Sequence, residues 1–126
     1  MIPALADVLE GWMFVARSRN LAGEVSAVAV AAALDHAREL AVPPLEEPAA
    51  LFYAFACRPR AFVGGWRFMP VLMAINQAHA LGFRLHAEPG ETDPLRHRIA
   101  DASTRPPFDE VRDWFAARLI AIPDET

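Results

Sequence analysis

The chain has 126 residues, a formal net charge of -4 and one cysteine, and 54% of its residues are hydrophobic. This length fits one domain, the apolar fraction excludes general disorder, and the acidic balance gives no electrostatic footprint for nucleic acid or an anionic membrane. A lone cysteine excludes an internal disulfide, and the N-terminus lacks the basic residues of a signal peptide. We therefore expect a single soluble, cytoplasmic domain over residues 1–126.

Three helices are predicted in the first half of the chain. Apolar residues recur at helical spacing over about 3–19. An alanine-rich segment over about 24–40 is long enough for a second helix, which a proline pair ends. A third helix with an apolar face is expected over about 48–57, stopping before Pro59.

The middle of the chain is predicted to be a loop followed by a buried helix. Gly64-Gly65 indicates a loop over about 60–66. The next helix, about 67–81, has little polar surface, and Gly82 is a good residue to follow its end. This helix is expected to be central and buried.

A short extended piece and two helices are predicted for the remainder. The extended piece covers about 83–86, and Asp93 is expected to be the N-cap of a helix that runs to about residue 102. The last helix is predicted over 108–120, and its apolar stripe consists of Phe108, Val111, Phe115 and Leu119. The predicted fold class is all-α, a compact bundle of five to six helices around the helix at about 67–81.

The stretch over 51–85 resembles the core of the Fic/Doc family, and its short Doc-like toxin branch in particular. In that family a helix leads to the motif H-P-F-x-D/E-G-N-G/K-R, which forms a loop and the start of a buried helix. The corresponding residues align without a gap and are Arg60, Ala61, Phe62, Val63, Gly64, Gly65, Trp66, Arg67 and Phe68. The segment 80–85 also ends in register with the L-N-G-Y-x-L type ending of Doc-like chains. The resemblance implies a single Fic/Doc-like helical domain.

The chemical groups of the motif are replaced. The histidine that acts as general base in the family corresponds to Arg60, which cannot deprotonate in a protein. The acidic residue that helps hold Mg²⁺ corresponds to Gly64, which offers no side-chain oxygen. The motif asparagine corresponds to Trp66, and the arginine that clamps phosphate corresponds to Phe68. The resemblance therefore implies no AMP or phosphate transfer by the family's mechanism.

Several residues of this loop allow two interpretations. Arg58, Arg60 and Arg67 beside Gly64-Gly65 could form a residual anion-binding site, or they could be solvated side chains at the rim of the loop. Trp66 could be a stacking platform, or it could fill a hydrophobic gap. Outside the loop, His97 could be catalytic or a surface residue, and the methionines Met13, Met69 and Met73 could be core filler or an adaptable partner groove.

Three functions are compatible with these patterns. The leading hypothesis is a degenerate Doc-like protein of a bacterial toxin–antitoxin type system that acts by binding a protein, for example an antitoxin peptide helix. The second is a Fic-fold enzyme with an altered site, using His97 as base and transferring a phosphate or nucleotide group to a protein hydroxyl. The third is a structural subunit unrelated to Fic. We expect no metal site, and ATP or another nucleotide with Mg²⁺ would bind only if activity is retained. We expect no nucleic-acid or membrane partner, and the sequence leaves an oligomer possible.

Overall fold

The computed structural model describes residues 1–41, 43–88 and 90–123. Within these residues the chain is mostly helical, which confirms the predicted class in its coarse form. The elements in chain order are α1 (Leu5–Ser18), α2 (Ala27–Leu40), a short 3-10 turn (Pro44–Glu46), α3 (Glu47–Ala56), α4 (Met69–Ala80), β1 (Phe83–Leu85), α5 (Asp93–Ala100), α6 (Phe108–Ala116) and β2 (Leu119–Ala121). No helix in the described part of the chain is both long enough and apolar enough to cross a bilayer.

The segment before α2 is extended, although the sequence predicted a helix from about residue 24. Ser26 is the N-cap of α2, and its side chain accepts a hydrogen bond from the first helical turn at 3.2 Å. The Ser26 amide also donates to the Ala61 carbonyl at 2.9 Å, and the Val63 amide donates to the Glu24 carbonyl at 3.0 Å. These backbone bonds use the groups that a longer helix would have needed, and they hold the loop over 60–66 against the start of α2.

The helix enclosed on all sides is α3, and the prediction that the helix at about 67–81 is the central one was wrong. All ten residues of α3 are buried. In α4, Met73 and Ala74 are buried, whereas Ile75 and Asn76 are exposed. The difference arises because α3 carries its charged group only at its first position, while α4 has polar residues that reach water on one side.

The hydrophobic core consists of two clusters that share α3. In one cluster, Trp12 of α1 and Leu34 of α2 pack with Phe55. In the other, Phe52 packs on Phe115 of α6 with 5.2 Å between the ring centroids. Because α3 contributes to both clusters, it fixes the position of the loop that follows it.

The last helix ends at Ala116, so the predicted helix over 108–120 was too long. Leu119–Ala121 instead form β2, which pairs antiparallel with β1 and places Leu119 opposite Leu85. Phe115 is buried as predicted, but Leu119 belongs to the two-stranded ribbon and not to a helical stripe. Strand pairing with β1 overrides the helical spacing here, because propensity is weak compared with tertiary contacts.

Candidate functional site

The loop over 60–66, called the glycine loop below, is anchored in the core by Phe62. The Phe62 ring lies 5.6 Å from the Phe55 ring and 5.1 Å from the Trp12 ring, measured between centroids. Gly65 passes so close to Trp12 that a Cβ atom at this position would lie 2.6 Å from the indole. The turn is therefore held between α1 and α3 and cannot shift as an unattached surface loop could.

Trp66 connects the glycine loop to both α3 and α5. Its Nε1–H donates a hydrogen bond to the Ala56 carbonyl at 3.2 Å. The guanidinium carbon of Arg96 lies 4.5 Å from the centroid of the indole, and the His97 ring meets it edge-on at 5.2 Å. Trp66 thus fills the space between the loop and α5, and the rest of its ring faces a cleft.

This cleft is open to solvent and has a volume of about 900 Å³. Its charged lining residues are Arg19 at the end of α1, Arg67 after the loop, and Asp93 and Arg96 on α5. Three guanidinium groups and one carboxylate give it a formal charge of two positive, in a chain whose net charge is -4. We call it the arginine cleft, because this charge makes it attractive to anions.

Arg96 is the buried cation of the arginine cleft, with 5% of the residue exposed. One terminal nitrogen donates both to the Arg67 carbonyl and to the Asp93 carboxylate, the latter at 2.8 Å. The Nε–H is buried and meets no acceptor among the described residues. Asp93 was predicted as the N-cap of α5, but Thr92 occupies that position and Asp93 pairs with Arg96 instead. A buried guanidinium that retains an unused donor is an unusual feature of this site.

The two aromatic side chains at the cleft interact with its cations. The guanidinium carbon of Arg19 lies 4.2 Å from the centroid of the Phe68 ring, and Arg96 lies over Trp66 as described above. Each contact holds a flexible arginine near the cleft by a cation–π interaction. Arg19 and Arg67 form no ion pair with any acidic group in residues 1–41, 43–88 and 90–123.

The structure divides the predicted anion-binding residues into two groups. Gly64 and Arg67 line the arginine cleft, together with the motif positions Trp66 and Phe68, while Gly65 is buried beneath them.

Arg58 and Arg60 form the second group and do not line the cleft. The Arg58 guanidinium donates to the Ala54 carbonyl at 2.8 Å and lies 3.1 Å from His36 Nδ1. Arg60 is exposed on the rim of the loop, as in the solvated alternative.

The environment of His36 lowers the pKa of its imidazole. Burial is the larger cause, because it disfavours the charged ring, and the positive charge of Arg58 adds to it. The neutral ring can then accept the Arg58 hydrogen bond at Nδ1. Arg58 is therefore held by internal acceptors, and its role in the described structure is to fix α3 against α2.

His97 lies in the arginine cleft, although its position in the sequence gave only a weak reason to expect this. Its Nε2 is 3.5 Å from a terminal nitrogen of Arg96. Arg19 and Arg96 were missed by the sequence reasoning. No pattern in the sequence around Arg19 or Arg96 predicts that they line the cleft, because the tertiary fold brings the end of α1 and α5 to the glycine loop.

A second depression runs between α1 and α4 and has a volume of about 400 Å³. Its side chains are mostly apolar and include Val8, Phe14, Leu72 and Met73. We call it the α1–α4 groove. It shares no lining residue with the arginine cleft.

The three methionines that the sequence analysis named for a partner groove are placed unequally around this one. Met69 and Met73 line it, whereas Met13 does not. Within the described residues, no group of three histidine, cysteine or acidic side chains is arranged to hold a metal ion.

The chain matches no known protein-family model, and no curated protein or solved structure is significantly similar to it.

Proposed function

We propose that this chain is a binding protein of Doc-like ancestry that receives an amphipathic helix of a protein partner in the α1–α4 groove. The observation that carries the proposal is the groove itself, where Phe14 is 74% exposed beside the partly buried Leu72 and the buried Met73 of α4. Burying such a ring against a partner contributes roughly 1.5–3 kcal/mol. An open groove between two helices is a common receptor for a third helix.

The groove also has features that favour a helical partner with a basic residue at its edge. Met69 and Met73 are unbranched, so they can adjust to the side chains of a bound helix. Asp7 lines one end of the groove and would attract a cation there. Antitoxin peptides of Doc-type systems, which fold into a helix on their toxin, are the class of partner that the sequence resemblance suggests.

The replaced motif residues support binding without Fic-type transfer. Arg60 is exposed and lies outside the arginine cleft, so its position lacks both a proton acceptor and contact with that cleft. Gly64 lines the cleft but has no oxygen ligand for a metal ion. The positions that carry the family's general base and metal ligand therefore offer neither group to a substrate in the cleft.

The proposal is tested by titrating the full chain with the product of a short reading frame next to its gene, using calorimetry. We expect a one-to-one complex that Phe14→Asp weakens by about 30-fold or more, as expected for a central contact residue. Val28→Asp is the matched control, because Val28 is 83% exposed on α2 and does not line the groove. Equal weakening by both variants, or no complex with that product, would refute the proposal.

An enzyme with altered chemistry is a second candidate, because His97 lies among the arginines of the cleft. In that case an imidazole nitrogen of His97 would accept the proton of a protein hydroxyl while the hydroxyl oxygen attacks a phosphorus atom of ATP. The bond from that phosphorus to the leaving ADP or pyrophosphate would break. Incubation with ATP, Mg²⁺ and cell extract, followed by mass spectrometry, distinguishes this candidate. A modified protein that disappears with His97→Gln would favour the enzyme over the binding protein.

A further inference from the structure

We infer that the outer edge of β2 is a self-association surface, where the β2 strands of two copies of this chain pair antiparallel across a two-fold axis at Ile120. No residue of β2 lines the α1–α4 groove or the arginine cleft. The inference therefore concerns a third surface and does not depend on the proposed function.

β2 is the less covered strand of the two-stranded ribbon. β1 contacts α4 as well as β2, and its Leu85 packs against the core. In β2, Ile120 and Ala121 are both exposed, although successive side chains of a strand point to opposite faces. No further strand pairs with β2 among residues 1–41, 43–88 and 90–123. The edge of β2 that faces away from β1 is therefore open.

The hydrogen-bond register shows which backbone groups lie on this open edge. The Ile122 N–H donates to the Gly82 carbonyl at 2.9 Å, so these two residues form a hydrogen-bonded pair. In an antiparallel ladder, hydrogen-bonded pairs alternate with pairs that share no hydrogen bond. The N–H and C=O groups of Leu119 and Ala121 therefore point away from β1. They form an unpaired row of two donors and two acceptors, which is a template for another strand.

A second β2 strand satisfies these groups in one register. When Leu119 lies opposite Ala121 of the second copy, each of the four N–H groups on the two strands meets a carbonyl oxygen. The arrangement is isologous, because the same residues contribute from both copies. It places Ile120 opposite Ile120 of the second copy in a pair without hydrogen bonds, the type in which the two Cα atoms lie about 4.5 Å apart. The open edge is thus complementary to itself.

The side chains of the open edge favour an identical partner. Ile120 and Ile122 are 42% and 40% exposed, and they lie on the same face of the ribbon. In the paired register each Ile120 contacts its counterpart, and each Ile122 lies diagonally from the Ile120 of the other copy. Four isoleucine side chains then form one apolar strip, and each copy buries apolar surface that it exposes when alone.

The charges near the open edge do not oppose this pairing. The segment from Leu119 to Ile122 carries no charged side chain, whereas exposed edge strands are commonly protected by one. Arg84 lies on β1, so the Arg84 residues of the two copies would be three strand spacings apart, roughly 14 Å, which exceeds the screening length of about 8 Å at physiological salt. Arg118, just before the strand, is paired with Glu91 at 3.1 Å.

Self-association is tested by sedimentation velocity of the full chain at concentrations up to about 1 mM. The shared strand is short, so we expect a weak dimer with a dissociation constant of roughly 0.1 mM. Ala121→Pro removes an outward N–H without breaking a bond to β1, and Ile120→Lys places two like charges at the axis. Each variant should raise the dissociation constant about tenfold or more, because two-fold symmetry applies the loss twice.

The matched control for these variants is Val28→Lys. It replaces an exposed apolar residue with the same charge, but Val28 lies on α2, outside the ribbon, so the dissociation constant should not change. Thermal unfolding curves of all three variants check that they fold.

A disulfide tests the register itself. In a Cys57→Ala background, Ile120→Cys should form a disulfide-linked dimer on mild oxidation, because a Cα separation of about 4.5 Å permits the bond. Ile122→Cys is the control at nearly equal exposure, and its two Cα atoms would lie roughly 14 Å apart, too far for a disulfide.

Three results would overturn the inference. The first is a chain that stays monomeric at about 1 mM, which would leave the edge to an extended segment of a different protein or to no partner. The second is a dimer that Val28→Lys weakens as much as Ile120→Lys. The third is cross-linking of Ile122→Cys as readily as Ile120→Cys.

Discussion

Replacing Gly65 with alanine tests the packing that holds the glycine loop in place. A Cβ atom at this position would lie 2.6 Å and 2.7 Å from two ring carbons of Trp12, and 3.0 Å from Phe62 Cβ. The Trp12 ring is fully buried, and its Nε1–H donates to the Gly23 carbonyl at 3.0 Å. Because the ring is fixed on both sides, it cannot move away without giving up a hydrogen bond or a packing contact.

The expected cost follows from this overpacking. Inserting one methyl group into a filled core costs about 1–3 kcal/mol. For a domain of this size, that corresponds to a fall in melting temperature of roughly 4–12 °C. Thermal and urea unfolding, followed by circular dichroism, measure both quantities.

Three comparison variants separate steric crowding from backbone strain. Gly64→Ala should cost about 1–2 kcal/mol because Gly64 has φ of 76°, although its nearest neighbour, Leu21, leaves ordinary space. Gly11→Ala in the middle of α1 meets no other atom within 4 Å and should stabilise by about 0.5–1 kcal/mol. Gly65→Ala in a Trp12→Phe background should cost less than in the native chain, since the smaller ring makes room. An unchanged cost in that background, or a Gly65→Ala protein as stable as the native one, would refute the packing argument.

Three further predictions concern the contacts around α3. Folding lowers the pKa of His36 below the ordinary 6.5, so the unfolded chain binds this proton more tightly. The contribution of a neutral His36 to the free energy of unfolding should therefore be complete above pH 6.5 and be lost as the pH falls. Urea titrations at several pH values measure this dependence, and His36→Gln should flatten it. Tyr53→Phe should cost about 1 kcal/mol in urea unfolding because the buried Pro106 carbonyl loses the hydroxyl donor that lies at 2.9 Å, and a value near zero would contradict this assignment. Burial raises the pKa of the Cys57 thiol, so its alkylation at neutral pH should be slower than that of a small free thiol, and a rate equal to that of the free thiol would contradict its burial.

The sequence predicted most helices because their signals are local. Apolar spacing, proline positions and Gly82 were sufficient for α1, α3, α4 and the extended piece at Phe83–Leu85. The sequence could not predict that Leu119–Ala121 pair with that piece, because the partner strand lies far away along the chain. It also assigned the central position to the wrong helix, since periodicity reports which side of a helix is apolar but not how many neighbours surround it.

The candidate site was predictable only where it coincides with the loop. Gly64 and Arg67 could be identified as candidate site residues from their own neighbourhood, and both line the cleft. Arg58 looked equivalent in the sequence, but its internal acceptors hold it elsewhere. Arg19 and Arg96 contribute charges that only the three-dimensional arrangement reveals.

The complete burial of α3 has a consequence for how this chain loses its structure. Each cluster of the core includes four buried side chains of the same ten-residue helix. Opening either cluster would leave apolar side chains of α3 facing water, so partial unfolding intermediates should be too costly to accumulate. Melting should proceed in one step, and the glycine loop should keep its shape until the whole chain denatures.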